Sequence, residues 1–310
     1  MIRAGDLRER LADAGYAAGW GAVKRLPEPV ARGAFAAGGG LAARQGGRGV
    51  RQLRANLGVA TGGQLDDDAL DALTRRAMRS YARYWQEAFR LPTLDPTRLV
   101  AATSPSGREH LEAARDAGRG IVLALPHSGN WDVAGVWLVD WLGGPFLTVA
   151  ERLKPESLYR RFLEFREGLG MRVVPLTGGE RPSSVLLREW LTGGGATCLV
   201  VDRDLSSGGV PVELFGRATT MPGGPALLAT QTGAALLPAV CQFDGAGWRF
   251  VIHPPVDVEG PGRLRERVTG AMQQVADAFA TTIATQPEDW HVLGRIWADV
   301  GPDPVPGTGA

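Results

Sequence analysis

Gly120-Ile121-Val122-Leu123-Ala124-Leu125-Pro126, followed directly by His127-Ser128-Gly129-Asn130-Trp131-Asp132, is the stretch on which the reading of the fold turns. A short aliphatic run without polar alternation, closed by glycine and proline, describes a strand buried on both faces. Gly129 and Asn130 both tolerate unusual backbone angles and suit a tight turn, and the residues from Trp131 to about 142 are helical in pattern. The stretch is therefore a strand-turn-helix unit that delivers a histidine to a strand end.

Further units of this kind follow. Apolar runs at 146–150, 171–176, 197–201 and 234–243 are separated by helical segments near 155–168, 181–192 and 222–232. Such alternation predicts an α/β fold with a mainly parallel central sheet flanked by helices on both faces. Trp248 to His253 adds an antiparallel strand, and Leu264 to Ala284 a long closing helix. Upstream, Asp66 to Asp68 cap a helix running to Phe89, and Glu109 to Ala117 forms another. No internal repeat or linker divides residues 1–310, which read as one domain with a helical segment at 1–60 and a frayed tail at 301–310. In the first segment, Leu7 to Leu26 suggests one amphipathic helix, and Val30, Phe35 and Leu41 a second after the Pro27-Glu28-Pro29 break. Aromatics beside arginines fit a membrane-interfacial helix, and equally a helix packed on its own domain.

With 44% hydrophobic and 22% charged residues, the 310-residue chain can bury a sizeable core. A net charge of +1 argues against a dedicated nucleic-acid binder. Only Lys24 and Lys154 of the 34 basic side chains are lysines, so arginine is the cation available for bidentate phosphate contacts. Cys198 and Cys241 lie in strand-like runs and read as core hydrophobes in a reducing compartment. Four dispersed histidines give no metal-ligand spacing, and no cofactor fingerprint is present, so neither a metal nor a permanently bound cofactor is expected. No run reaches the ~18 apolar residues of a spanning helix, and acidic and basic residues break any signal-peptide core near the start.

The chemistry centres on His127. No serine or cysteine nucleophile is attached to it in sequence, so the hydroxyl it activates is expected to belong to a substrate. Asp132, at a five-residue offset, is the expected partner of the imidazole. In one continuous helix that offset would leave the two side chains roughly 140° apart. The pairing therefore requires His127 in the turn and Asp132 in the first helical turn.

The His-Ser-Gly-Asn-Trp-Asp block resembles the His-x4-Asp/Glu motif of bacterial lipid acyltransferases. It is most similar to the branch that holds lipid A lauroyl/myristoyl acyltransferases and phosphatidylinositol mannoside acyltransferases. Leu199-Val200-Val201-Asp202-Arg203-Asp204, Gly209 to Gly216, Thr220 to Pro225, Ala235 to Ala239 and Pro287-Glu288-Asp289-Trp290-His291 match further blocks in order, across roughly residues 70–297. The acidic Asp132 and the Asp-Arg-Asp sequence favour the mannoside-acylating members.

The resemblance implies an acyl-CoA-dependent O-acyltransferase acting on a phosphatidylinositol mannoside glycolipid. It implies His127 as general base, Asp132 as its partner, and Asp202 as a second acid near the imidazole or a cap of the next element. Asn130, Glu151, Arg166 and Arg203 are expected at the substrate, the two arginines being phosphate contacts or paired surface residues. The implied setting is peripheral, on the anionic cytoplasmic face of the plasma membrane, with Trp20, Trp137 and Trp141 as candidate lipid-surface residues. Three rivals remain: an acyltransferase acting on another, lipid A-like glycolipid acceptor, a thioesterase using the same histidine on water, and a non-catalytic lipid carrier.

Overall fold

In a computed structural model, the structure describes residues 21, 23–151, 156–204 and 208–302. After helical residues at 21 and 23–25 come α1 (Glu28–Gln45), α2 (Arg48–Ala60) and α3 (Asp67–Arg90), then the short α4 (Pro96–Ala101). Strand β1 (Thr103–Ser106) and α5 (Arg108–Asp116) lead into β2 (Ile121–Leu125) and α6 (Trp131–Leu142). Next come β3 (Leu147–Ala150), α7 (Glu156–Gly168), β4 (Arg172–Pro175), α8 (Ser183–Thr192) and β5 (Ala196–Val200). The hairpin β6 (Val210–Leu214) and β7 (Arg217–Met221) precedes α9 (Gly224–Thr232), β8 (Ala235–Asp244), β9 (Gly247–Ile252) and α10 (Leu264–Ile283).

Seven strands form one sheet in the order β1-β9-β8-β2-β5-β3-β4. Only the β8–β9 pairing is antiparallel, so the α/β class with a mainly parallel sheet stands. Strand β2 lies at the centre, between β5 and β8, and is buried throughout. Its period of two divides the core. Val122 and Ala124 face a cluster closed by Met272, Val275 and Phe279 of α10. Ile121, Leu123 and Leu125 face Ala134, Trp137 and Leu138 of α6. Each fully buried aliphatic or aromatic side chain in these layers stabilises the fold by about 1.5–3 kcal/mol.

Three features depart from the expectation. β1, α4 and the β6–β7 hairpin were not legible as elements. The hairpin turns on Phe215 and Gly216, both at positive φ (52° and 71°), the conformation of a two-residue turn that follows the strand twist. Phe215 tolerates it because its ring lies against Trp290 and Trp297, at 5.4 and 6.4 Å. On α1, Val30 and Leu41 are exposed instead of forming the buried stripe. Contact with α3 is made by Ala31, Gly39 and Phe35, whose ring lies 6.2 Å from Phe89. The first amphipathic segment and most of the 301–310 tail lie outside the described residues. No described helix is long and apolar enough to cross a membrane.

Gly39 sets the approach of α1 to α3, since a β-carbon there would stand 2.6 Å from the Met78 carbonyl oxygen and 3.0 Å from the Ala82 Cβ. Gly39→Val should therefore separate the two helices and lower stability by about 1–3 kcal/mol. Urea unfolding measures this, and Gly38→Val, which meets no atom within 4 Å, is the control with a smaller loss.

Candidate active site

Strands β2 and β5 are parallel neighbours in a register that places Leu125 beside Val200. The ladder continues one step further, with the Val201 N–H donating to the Leu125 carbonyl at 2.8 Å. Two residues past each strand end, His127 and Asp202 emerge side by side. Asp202 Oδ1 lies 2.5 Å from His127 Nδ1, while Oδ2 accepts from the His127 backbone N–H at 3.0 Å and from Trp290 Nε1 at 2.9 Å. The Asp202 side chain is wholly buried and that of His127 is 34% exposed. Burial alone would raise the Asp202 carboxyl. The charge of the His127 imidazole and the three hydrogen bonds outweigh it and hold Asp202 below the ordinary carboxylate value. An ionised carboxylate only accepts, so the bonded Nδ1 carries a proton, and in the neutral form of the ring Nε2 is the nitrogen left to accept one.

Asp132 is not the residue that holds the imidazole, contrary to expectation. It is buried in the first turn of α6, where Oδ1 accepts from Arg166 Nε at 3.0 Å and Oδ2 from the Tyr84 hydroxyl at 3.2 Å. The turn between His127 and α6 takes up the offset and directs Asp132 toward α3 and α7. Burial pushes the Tyr84 phenol well above its ordinary value, with the Asp132 charge adding to it. Burial disfavours the Arg166 cation, but Asp132 more than compensates, so its pKa is raised. Tyr84 in turn stacks on Trp131 at 4.2 Å, and Trp131 meets the His127 ring edge-on at 5.6 Å.

The turn itself is clamped from the C-terminal segment. The His291 N–H donates to the His127 carbonyl at 2.7 Å, and the Gly129 N–H to the Asp289 carbonyl at 2.9 Å. Gly129 has φ 58°, and a β-carbon there would lie 2.6 Å from the Cys241 carbonyl oxygen, so both backbone and space require glycine. The Ser128 hydroxyl donates to that same carbonyl at 2.8 Å, and its N–H donates to the Pro126 carbonyl. The N–H groups of Ser128 and Gly129 are thus engaged within the fold. Asn130 is also structural. Its Oδ1 caps α6 by accepting from the Val133 N–H at 3.1 Å, Nδ2 donates to Glu87 Oε2 at 2.8 Å, and the residue is buried and does not line the cavity beside His127.

Beside His127 lies a cavity of about 480 Å³. Glu151, just past the end of β3, Arg166 and Arg203 all line it, together with Tyr84, Trp131 and Asp132. Arg203 is half-buried and rests against Gly294, where a β-carbon would stand 2.5 Å from a guanidinium nitrogen. Deeper in, the walls become apolar, with Leu125, Ala134, Leu138, Phe146, Cys198 and Phe250. Burial raises both cysteine thiols, so they remain protonated core groups. Trp137 is 95% buried at a value of 5% exposed and does not face a lipid surface, Trp141 stacks on it at 6.4 Å, and Trp20 lies outside the described residues.

Sequence reasoning gave no role to Trp290 or Tyr84. Trp290 stands in the quoted C-terminal block, whereas Tyr84 reads as one of a buried helical stripe. Among the described residues no group of three His, Cys, Asp or Glu side chains is placed to hold a metal ion.

The parallel sheet, the histidine at its central strand end and the apolar cavity beside it describe an acyl-transfer scaffold, and residues 7–299 match the family of bacterial lipid A biosynthesis acyltransferases. The chain belongs to that family. Over 93% of its length it is 54% identical to the phosphatidylinositol mannoside acyltransferase of Mycolicibacterium smegmatis, of which it covers 92%. It is 49% identical, over 92% of its length, to the protein of that name in Mycobacterium tuberculosis H37Rv, covering 88% of it.

Two buried groups behind the site titrate in opposite senses. The Ser80 hydroxyl lies 2.6 Å from Asp289 Oδ1 and 2.9 Å from His291 Nε2. Burial pushes Asp289 up to about 6 and His291 down to about 3. Unfolded His291 protonates near 6.5 and the folded ring only near 3, so this residue subtracts stability as pH falls across that span. Folded Asp289 protonates near 6 and unfolded Asp289 near 3.8, so it adds stability as pH falls from 6 to 4. Each slope is about 1.4 kcal/mol per pH unit, and they offset. In Asp289→Asn, urea stability should fall between pH 6 and 4 more steeply than in the wild type by about 1 kcal/mol per unit; equal slopes would contradict these assignments.

Proposed function

We propose that this chain is an acyl-CoA-dependent O-acyltransferase that places a long-chain, palmitoyl-like acyl group on a mannose hydroxyl of a phosphatidylinositol mannoside. The observation that carries the reading is the contact of His127 Nδ1 with buried Asp202, which leaves Nε2 for a substrate, in a cavity lined by both polar and apolar side chains. The close likeness to two mycobacterial enzymes of that name supplies the acceptor class.

In this reading Nε2 takes the proton of the mannose hydroxyl as its oxygen attacks the thioester carbonyl. Asp202 stabilises the imidazolium that forms. The tetrahedral oxyanion then collapses, breaking the C–S bond, and the imidazolium returns its proton to the departing CoA thiolate. No acyl-enzyme forms. The acyl chain enters the apolar depth, and Glu151 and Arg203 at the mouth bind head-group hydroxyls and phosphate. Asp132 acts by fixing Arg166 and Tyr84 along the acceptor wall. A lipid acceptor requires the chain to work at a membrane, and we place it on the anionic cytoplasmic face of the plasma membrane, attached peripherally.

The test is CoA release from palmitoyl-CoA with and without phosphatidylinositol mono- or dimannoside, with the acylated mannoside identified by mass spectrometry. His127→Ala should lower the acceptor-dependent rate about 10²–10⁴-fold. Asp202→Asn, which removes the charge but keeps the shape, should lower kcat with little change in KM. Release that ignores the acceptor would instead favour a thioesterase, and an unaltered rate in His127→Ala would overturn the mechanism.

A further inference from the structure

Met171, in the turn before β4, is one of the buried side chains that line the apolar part of the active-site cavity. Gly135 of α6 has no side chain to keep it away. A β-carbon built on Gly135 would lie 2.4 Å from Met171 Cε, 3.4 Å from its Sδ and 3.3 Å from the tip of Phe146. The thioether is thus pressed onto bare helix backbone, with Phe146 beside it. The turn is held at the same helix by Gly170, at φ 86°, where a β-carbon would meet Val139 Cγ1 at 2.9 Å. Met171 is 5% exposed, and its N–H donates to the Arg166 carbonyl, so the residue is tied to the segment that carries Arg166.

Met171 also lines a second space of about 620 Å³, a surface-open groove edged by the exposed Glu167, Arg172 and Glu189 and floored by Leu147, Leu186 and Trp190. The residue therefore stands between the active-site cavity and that groove. A methionine in that place is flexible and unbranched, so its length and rotamer decide how far an occupant of the first cavity extends.

We infer that Met171, seated on Gly135, ends the acyl-binding depth of the active site and sets the acyl-chain length the protein accepts. The inference rests on the acyl-transfer reading, because it takes the occupant of the apolar depth to be the acyl chain whose carbonyl lies at His127. A chain that reaches Met171 buries all its methylenes, and a longer one must bend or leave its end in water. Each methylene moved out of water is worth roughly a factor of four in binding. Two methylenes in excess of the depth therefore reduce selection by about 10-fold or more.

Opposite changes on the two sides of the contact provide the test. Met171→Ala opens the cavity toward the groove and should shift selectivity toward longer donors, by about 10-fold in the ratio of kcat/KM for C20 over C16 acyl-CoA. Gly135→Ala pushes the flexible Met171 end into the depth and should shift the ratio of C12 over C16 upward by a similar factor. Met171→Leu, of nearly equal volume, should leave the profile close to wild type. Binding of C12, C16 and C20 fatty acids by calorimetry, without acceptor or turnover, reads the same length preference independently. Length profiles that stay unchanged in both Met171→Ala and Gly135→Ala, for variants that retain wild-type unfolding midpoints, would overturn the inference. Length-dependent fatty-acid binding without any transfer by the wild type would overturn the transferase reading and leave the Met171 stop standing.

Discussion

The interaction on which the site depends is the buried contact between Asp202 and His127. A carboxylate removed from water is strongly disfavoured unless its lone pairs are satisfied. Asp202 meets that condition with the imidazole N–H and the backbone N–H of His127 and with the Trp290 indole from the C-terminal segment. The three donors also fix what the carboxylate does. It cannot rotate to a second geometry without leaving one donor unpaired, so the imidazole is held in one tautomer and one orientation. Much of the surrounding architecture serves that end: the β2–β5 register, the glycine at 129 and the C-terminal strap that brings Trp290.

The acidic residue of the His-x4-Asp motif takes a different part. Asp132 anchors a second set of groups, Arg166 and Tyr84, whose rings and charges form the other wall of the same cavity. Trp131 links the two sets by stacking on Tyr84 and meeting His127 edge-on. The motif is thus a compact way of building both sides of a cleft from one turn. Its histidine belongs to the strand end and its aspartate to the helix start, and each is buttressed by partners far away in sequence.

The cavity changes character along its depth because two secondary elements face it with different residues. The first turn of α6 carries Trp131 and Asp132, whereas its second carries Ala134, Gly135 and Leu138. Strand ends supply polar groups at the mouth, since backbone and side chains there are free of the ladder. The strand interiors supply Leu125 and Cys198 below. A parallel α/β sheet places charged chemistry above and apolar binding beneath by this geometry alone, and small residues on α6 make the apolar part hollow.

Sequence by itself determined the order of strands and helices from β2 onward apart from the β6–β7 hairpin, the mainly parallel sheet, and His127 at the end of a buried strand. Those follow from local pattern: unbroken apolar runs, glycine and proline boundaries, and helical periodicity between them. It brought Glu151, Arg166 and Arg203 to the right end of the sheet for the same reason. It pointed to Asp132 as partner of the imidazole, where the structure has Asp202. Asp132 is near His127 in the chain, but Gly129 and the Asn130 cap turn it away. Asp202 is distant in the chain, yet one strand spacing of about 4.8 Å brings it alongside. Sequence could not show that Asn130 is a cap, that Trp290 donates to the buried carboxylate, or that β1 and the β6–β7 hairpin are strands at all. Contacts between residues far apart in sequence leave no periodic trace, because they are set by register and packing, and those exist only once the sheet has formed.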